Sequence, residues 1–223
     1  MKAHPEKVLI ILERDSYEKD TQLLNRLITA LAPSGYTPIW YNPHGVGSSQ
    51  LVTSHPFVNA LPRWLRILIK ALLLMRHPSR LGHYLSNDAW RESTIEGRCI
   101  NLKKFIGTFS PETEIAIFSR SAGGRIASII TDSTAIRKII CLGYPFKHPD
   151  QPDEPSRYRH LAQLQTPLLI IQGSRDVYGG YGIRNNYRLS PAVELDFIDT
   201  DHDFKLNNEQ FIWVVNRIVR FLK

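Results

Sequence analysis

The stretch Ile115-Ala116-Ile117-Phe118-Ser119-Arg120-Ser121-Ala122-Gly123-Gly124-Arg125 passes from apolar, β-branched and aromatic residues into a cluster of small ones. Its first half reads as a buried strand, 114–118, and its second as a helix beginning near Ala122, with Ser121 at the turn between them. So sharp a turn needs small residues on either side, because bulky side chains there run into neighbouring elements. Ser119 and Gly123 stand two residues before and after Ser121, giving S-x-S-x-G. The pattern fits a nucleophile elbow, which lifts a hydroxyl out at a strand's carboxyl end, with serine where the first glycine is usual. A serine at a helix start is also an ordinary cap, its oxygen accepting a first-turn N–H, and the motif alone leaves both readings open.

The flanking sequence repeats the strand-then-helix order. Lys7–Leu12 (KVLIIL) is a continuous apolar run suited to a strand covered on both faces. Leu23, Leu24, Leu27, Ile28 and Leu31 form a helical stripe within 19–31, ended by Pro33-Ser34-Gly35. Further strands are expected at 37–41, Ile136–Leu142, 167–172 and Val193–Ile198, with helices at 93–106 and Asn208–Leu222. The expected fold is α/β, a mainly parallel six-stranded sheet with helices on both faces. Such a sheet gathers its functional loops at the strands' carboxyl ends.

One region, 43–88, breaks the alternation and is expected to be a helical insertion after the second strand, within a single domain spanning 1–223. It lies in an uneven charge distribution. The chain has 28 Lys and Arg against 21 Asp and Glu, a formal charge of +7. From 21 to 87 there is no acidic residue, while Arg26, Arg63, Arg66, Lys70, Arg76 and Arg80 supply most of that excess. On a helix Arg63, Arg66 and Lys70 share one stripe, and Trp64, Leu65, Leu68, Leu72 and Met75 cover another side. A packed helix with a solvated basic face, a lid over an apolar site, and peripheral contact with an anionic membrane all fit. Nucleic-acid binding is not expected, since no recognition motif accompanies the charge.

At 223 residues and 43% hydrophobic, the chain can build its core without disulfides, so Cys99 and Cys141 are read as thiols. No apolar run reaches the roughly 18 residues of a membrane span, and Glu6, Glu13 and Asp15 break the order of a signal peptide, so a cytoplasmic protein is expected. The histidines His44, His55, His77 and His83 have no metal-ligand spacing, and neither metal nor other cofactor is expected.

A serine hydroxyl needs a base within hydrogen-bond reach, and the base needs an acceptor to hold its tautomer. The strand at 167–172 runs into Gly173-Ser174-Arg175-Asp176, and Val193–Ile198 into Asp199-Thr200-Asp201-His202-Asp203-Phe204. Ser121, Asp176 and His202 therefore occupy three loops expected at one edge of a parallel sheet. Read singly, Asp176 also suits a turn carboxylate and His202 a solvated histidine in an acidic loop.

Together, FSRSAGGR around Ser121, CLGYPF at 141–146, PLLIIQGSRD ending at Asp176 and DTDHDF around His202 resemble the α/β-hydrolases. Among them the resemblance is to the compact dienelactone-hydrolase-like serine hydrolases, and it covers the second half of the chain. It implies Ser121 as nucleophile, His202 as general base and acid, and Asp176 as its orienting partner. It also implies hydrolysis of a small-molecule carboxylic ester or thioester through an acyl-enzyme. Transfer to an acceptor other than water would use the same triad, and a non-catalytic module binding a protein or membrane through the basic insertion is the alternative of a different class. The oxyanion hole is expected to use the backbone N–H of Ala122 and one from Glu13 or Arg14, where this chain lacks the family's His-Gly-type turn. Tyr144, Trp64 and Tyr178 are the expected pocket residues.

Overall fold

The computed structural model describes residues 6–12, 17–41, 94–131 and 135–223. In chain order these form β1 (Lys7–Leu12), α1 (Tyr17–Leu31), β2 (Thr37–Trp40), α2 (Ile95–Ile106), β3 (Glu114–Arg120) and α3 (Ala122–Ile130). There follow β4 (Ile136–Leu142), β5 (Leu168–Gly173), the short α4 (Ile183–Asn186), β6 (Val193–Ile198) and α5 (Asn208–Leu222). The strands make one six-stranded sheet in the order β2-β1-β3-β4-β5-β6, and every pairing is parallel. The chain divides into two compact units, Met1–Tyr41 with Lys103–Lys223, and Asn42–Leu102. The first carries the sheet. Of the second, only the start of α2 and the residue before it are described. The expected insertion at 43–88, with Arg63, Trp64, Arg66 and Lys70, lies outside the described residues.

Strand periodicity decides which helices cover which face. Leu9 and Ile11 of β1, Ala116 and Phe118 of β3, Ile140 and Leu142 of β4, and Leu169 and Ile171 of β5 share one cluster. Leu24, Leu27 and Leu31 of α1 and Val214, Ile218, Phe221 and Leu222 of α5 complete it. The intervening residues, among them Ile117, Ile139 and Cys141, point to the other face, where α3 packs on β3 and β4. There Gly124 lies so close that a Cβ would stand 2.2 Å from the Cys141 Sγ. Nearly all of the residues of β1, β3 and β5 are buried, which is why these runs read as unbroken apolar sequence rather than as alternation.

Polar contacts fix the ends of the layers. Asn207 caps α5 by accepting from Gln210 N at 2.9 Å, while the Gln210 side chain accepts from Asn207 N at 2.9 Å. At the other end Lys138 Nζ donates to the carbonyls of Phe221 and Leu222 at 2.9 and 3.0 Å, meeting acceptors that a helix C-terminus leaves unpaired. At the amino-terminal edge of the sheet Glu114 accepts from the Tyr36 hydroxyl and pairs with Lys7 Nζ at 3.1 Å. These contacts hold the Glu114 carboxyl below its ordinary range, the Tyr36 hydrogen bond contributing most. Among the described residues no helix is long and apolar enough to cross a membrane.

Replacing Lys138 by Met should cost about 1–2 kcal/mol in urea unfolding, because two charge-assisted bonds to α5 disappear. Glu114 supplies the acid sensitivity of this edge. A carboxyl whose folded pKa is lowered stabilises the fold above its unfolded pKa of about 4.3, and that contribution is lost as pH falls toward the folded value. Glu114→Gln should therefore flatten the acid limb of stability measured below about pH 5 while leaving its shape near neutrality unchanged.

Candidate active site

β3 continues through Arg120, two residues past its expected end, and the chain turns into α3 at Ser121. Ser121 has φ 48 and ψ −116, a conformation that costs on the order of 1–3 kcal/mol and persists only where surrounding contacts impose it. Those contacts are backbone bonds: Ser121 N donates to Leu142 O at 3.1 Å, and Gly124 N donates to Ser121 O at 2.9 Å. The small residues follow from packing. A Cβ on Gly123 would sit 3.0 Å from Leu12 O and 3.1 Å from Leu12 Cβ. Ser119 is accommodated because its hydroxyl donates to Ile140 O at 2.8 Å.

Ser121 makes no side-chain capping bond to α3. Its Oγ lies instead 3.0 Å from His202 Nε2, so the capping reading is not the one the structure adopts. Cys141 lies close by, its Sγ 4.0 Å from Ser121 O, but burial pushes this thiol up to about 12, so it stays protonated and inert at neutral pH.

Asp176 follows β5 and is almost wholly buried. One oxygen, Oδ1, accepts from Tyr178 N at 2.8 Å, the local bond expected of a turn carboxylate. The other, Oδ2, accepts from Gln172 Nε2 at 2.7 Å and lies 2.8 Å from His202 Nδ1. The carboxylate thus closes its own turn and reaches across to the next loop. With an acceptor-only group at Nδ1, the proton belongs on Nδ1, and the Nε2 lone pair faces the Ser121 hydroxyl.

The loop after β6 brings the imidazole to this position. Asp199 is drawn outward to Arg175 Nε at 2.9 Å, and Asp201 Oδ1 accepts from Asp203 N at 2.9 Å. The loop crosses the end of β5 at very short range: a Cβ on Gly173 would stand 2.6 Å from Thr200 O and 2.8 Å from Asp201 O. Arg175 N donating to Thr200 O at 3.1 Å fastens the crossing. The Tyr178 ring lies 4.5 Å from that of His202, and the His148 ring stands edge-on to Tyr178 at 5.8 Å.

Tyr144 has no exposed surface, and its hydroxyl donates to Arg157 O at 2.7 Å, which places it in the core beneath the 155–162 segment rather than on an open wall. Ala122 is the first residue of α3, beside Ser121. Glu13, Arg14 and Trp64 lie outside the described residues. Gln172 and Gly173 had no role in the sequence reading. The signal for Gln172 was available, as a lone polar residue inside the apolar run PLLIIQ. Among the described residues no group of three or more His, Cys, Asp or Glu is arranged to hold a metal ion.

Gly173→Ala should push the His202 loop off β5. The expected loss is about 1–3 kcal/mol in chemical denaturation, larger than the effect of an alanine at the exposed Gly107, where a Cβ would meet its nearest neighbours at 3.5 Å, measured alongside.

No curated protein matches the sequence. Among solved structures, an alpha-beta serine hydrolase homologue from Coxiella burnetii is 17% identical with a TM-score of 0.56, over 97% of this chain and 85% of that one. A serine hydrolase without lid from Xanthomonas campestris is 15% identical with a TM-score of 0.55, over 99% and 82%. A monoacylglycerol lipase from Paleococcus ferrophilus is 10% identical with a TM-score of 0.60, over 98% and 95%. At these identities the likeness is one of fold. A family described as the alpha/beta hydrolase domain matches residues 93–211, over half of the chain and the part that holds Ser121, Asp176 and His202. By fold and by that match, the chain belongs to the α/β hydrolases.

Proposed function

We propose that this protein is a serine hydrolase that cleaves a carboxylic ester or thioester through an acyl-enzyme. The observation that carries the reading is the continuous hydrogen-bonded line from Ser121 Oγ to His202 Nε2 at 3.0 Å and from His202 Nδ1 to Asp176 Oδ2 at 2.8 Å. It begins at a serine held in a strained turn with no capping bond to spend its hydroxyl on.

The chemistry follows from those positions. As Ser121 Oγ attacks the substrate carbonyl carbon, its proton passes to His202 Nε2, and Asp176 steadies the imidazolium that forms. The tetrahedral oxyanion needs preorganised donors, each worth on the order of 100- to 1000-fold in rate. The N–H of Ala122 is assigned as one. The second is assigned to Glu13 or Arg14, an assignment favoured by β1 ending against the elbow, where Leu12 O packs on Gly123. Collapse of the adduct expels the alcohol or thiol, which takes the proton from His202. Water then gives a proton to His202 and attacks the acyl-enzyme, releasing the acid and restoring the Ser121 hydroxyl.

An ester or thioester is favoured over a peptide as the less demanding substrate, since its leaving group is expelled more readily than an amine, while the base-acid histidine serves either. The fold likeness to a monoacylglycerol lipase supports the same bond class.

A fluorophosphonate probe should label the wild-type chain at a single site and leave Ser121→Ala unlabelled, as read by intact mass. Equal labelling of the two would remove Ser121 as nucleophile. Asp176→Asn should fold normally and lower kcat on a p-nitrophenyl ester by about 10,000-fold, because the amide reverses the hydrogen-bond preference at His202 Nδ1.

A further inference from the structure

The residue before Ser121 carries a full positive charge into a place with no solvent exposure. Arg120 is completely buried, at the carboxyl end of β3 and under the loop that bears His202. Its guanidinium Nη1 donates to Leu142 O at 2.8 Å, and its Nη2 donates to the backbone carbonyl of His202 itself. The guanidinium carbon lies 4.7 Å from the centre of the Phe204 ring, two residues beyond His202. Phe204 has φ 54, a left-handed conformation unusual for an aromatic residue, so the loop is bent where the guanidinium meets it.

The neighbouring backbone is shaped around this side chain. Gly143 has φ 67, and a Cβ there would lie 2.8 Å from Arg120 Nη1, 3.1 Å from Phe204 Cε2 and 3.3 Å from His202 Nδ1. A buried cation is costly unless its donors are met, and a strand end between two apolar layers has no need of one for packing. The planar guanidinium offers what an apolar residue cannot: two donors at a fixed angle, one reaching the last carbonyl of β4 and the other a carbonyl of the His202 loop.

We propose that Arg120 is a positioning residue that sets the distance between His202 and Ser121. Arg120 is joined to Ser121 by one peptide bond and to the His202 backbone by a charge-assisted hydrogen bond. Nucleophile and base are thereby tied to the same strand end, and any shift of β3 carries both. The role rests on the serine-hydrolase reading for its kinetic consequence, and on the hydrogen-bond geometry alone for its structural one.

The test compares Arg120→Met, which keeps the length and apolar stem, and Arg120→Lys, which keeps the charge but loses the fork, with Lys138→Met as a destabilised control remote from the site. Two readouts are followed: fluorophosphonate labelling with ester kinetics, and the 15N resonances of the His202 ring. In the wild type the ring should report a single Nδ1–H tautomer. In Arg120→Met it should report a mixture, with labelling and kcat on the order of 100-fold lower and KM within about twofold. Arg120→Lys should fall between, and the control should match the wild type in both readouts. A folded Arg120→Met or Arg120→Lys with the wild-type labelling rate and a single tautomer would overturn the proposal. Failure of both variants to fold would overturn it too, by making Arg120 a residue of the fold alone. If the wild type takes no label, the hydrolase reading falls, and the tautomer comparison still decides the role of Arg120.

Discussion

Five parallel strands end within about three residues of one another, and the site exists because of that register. Leu12 of β1 stands beside Ser119 of β3, Arg120 beside Leu142 of β4, Leu142 beside Ile171 of β5, and Gly173 beside Ile198 of β6. In a parallel sheet every strand leaves in the same direction, so these aligned ends deliver their loops to one rim. Residues 121, 176 and 202, distant in the chain, meet without any element bending to reach another. Register also explains the glycines. Loops that leave side by side and then cross must pass within van der Waals range, and Gly123 under Leu12 and Gly173 under Thr200 are where they do.

The stability of the sheet supports the local cost of the site. A strained Ser121, a buried guanidinium and a buried carboxylate are each unfavourable alone. They sit on strands whose side chains are buried on both faces, with α1 and α5 on one side and α3 on the other. The polar groups are also met almost fully by local partners. Asp176 has three donors, and Ser119 and Arg120 send theirs to carbonyls of β4 and the His202 loop. A hydrogen-bonded arrangement of this type resists deformation, because displacing one member leaves another buried and unpaired.

How far the sequence could be read depended on the range of the interaction involved. Strands and helices were legible because burial on one or both faces leaves a pattern over several residues, and all six strands fall within about two residues of their expected bounds at either end. The loop residues 121, 176 and 202 were legible because each follows an apolar run in a position that only a strand end can supply. The last two residues of β3, Ser119 and Arg120, lie beyond the expected end at 118 because their polarity hides their burial. Both are fully buried, the Ser119 hydroxyl and the two terminal nitrogens of Arg120 donating to carbonyls of other elements. Tyr144 is among the expected pocket residues, yet its hydroxyl is committed to Arg157 O, a partner 13 residues away that no local pattern encodes.

Gln172 shows the same limit from the other side and completes the account of how Asp176 is held. Fully buried, it gives its amide N–H to the Asp176 oxygen that faces His202, while its own Oε1 has no hydrogen-bond partner among the described residues. Rotating the amide by half a turn would not help, because it would aim an acceptor at a carboxylate. The orphaned oxygen is therefore a consequence of supplying a donor to Asp176. A leucine at this position would pack without an unpaired atom but would leave Oδ2 with His202 alone to fix its direction. Among the described residues this buried acceptor stays unsatisfied beside the Asp176 carboxylate, and the orientation of Asp176 is what the amide N–H secures.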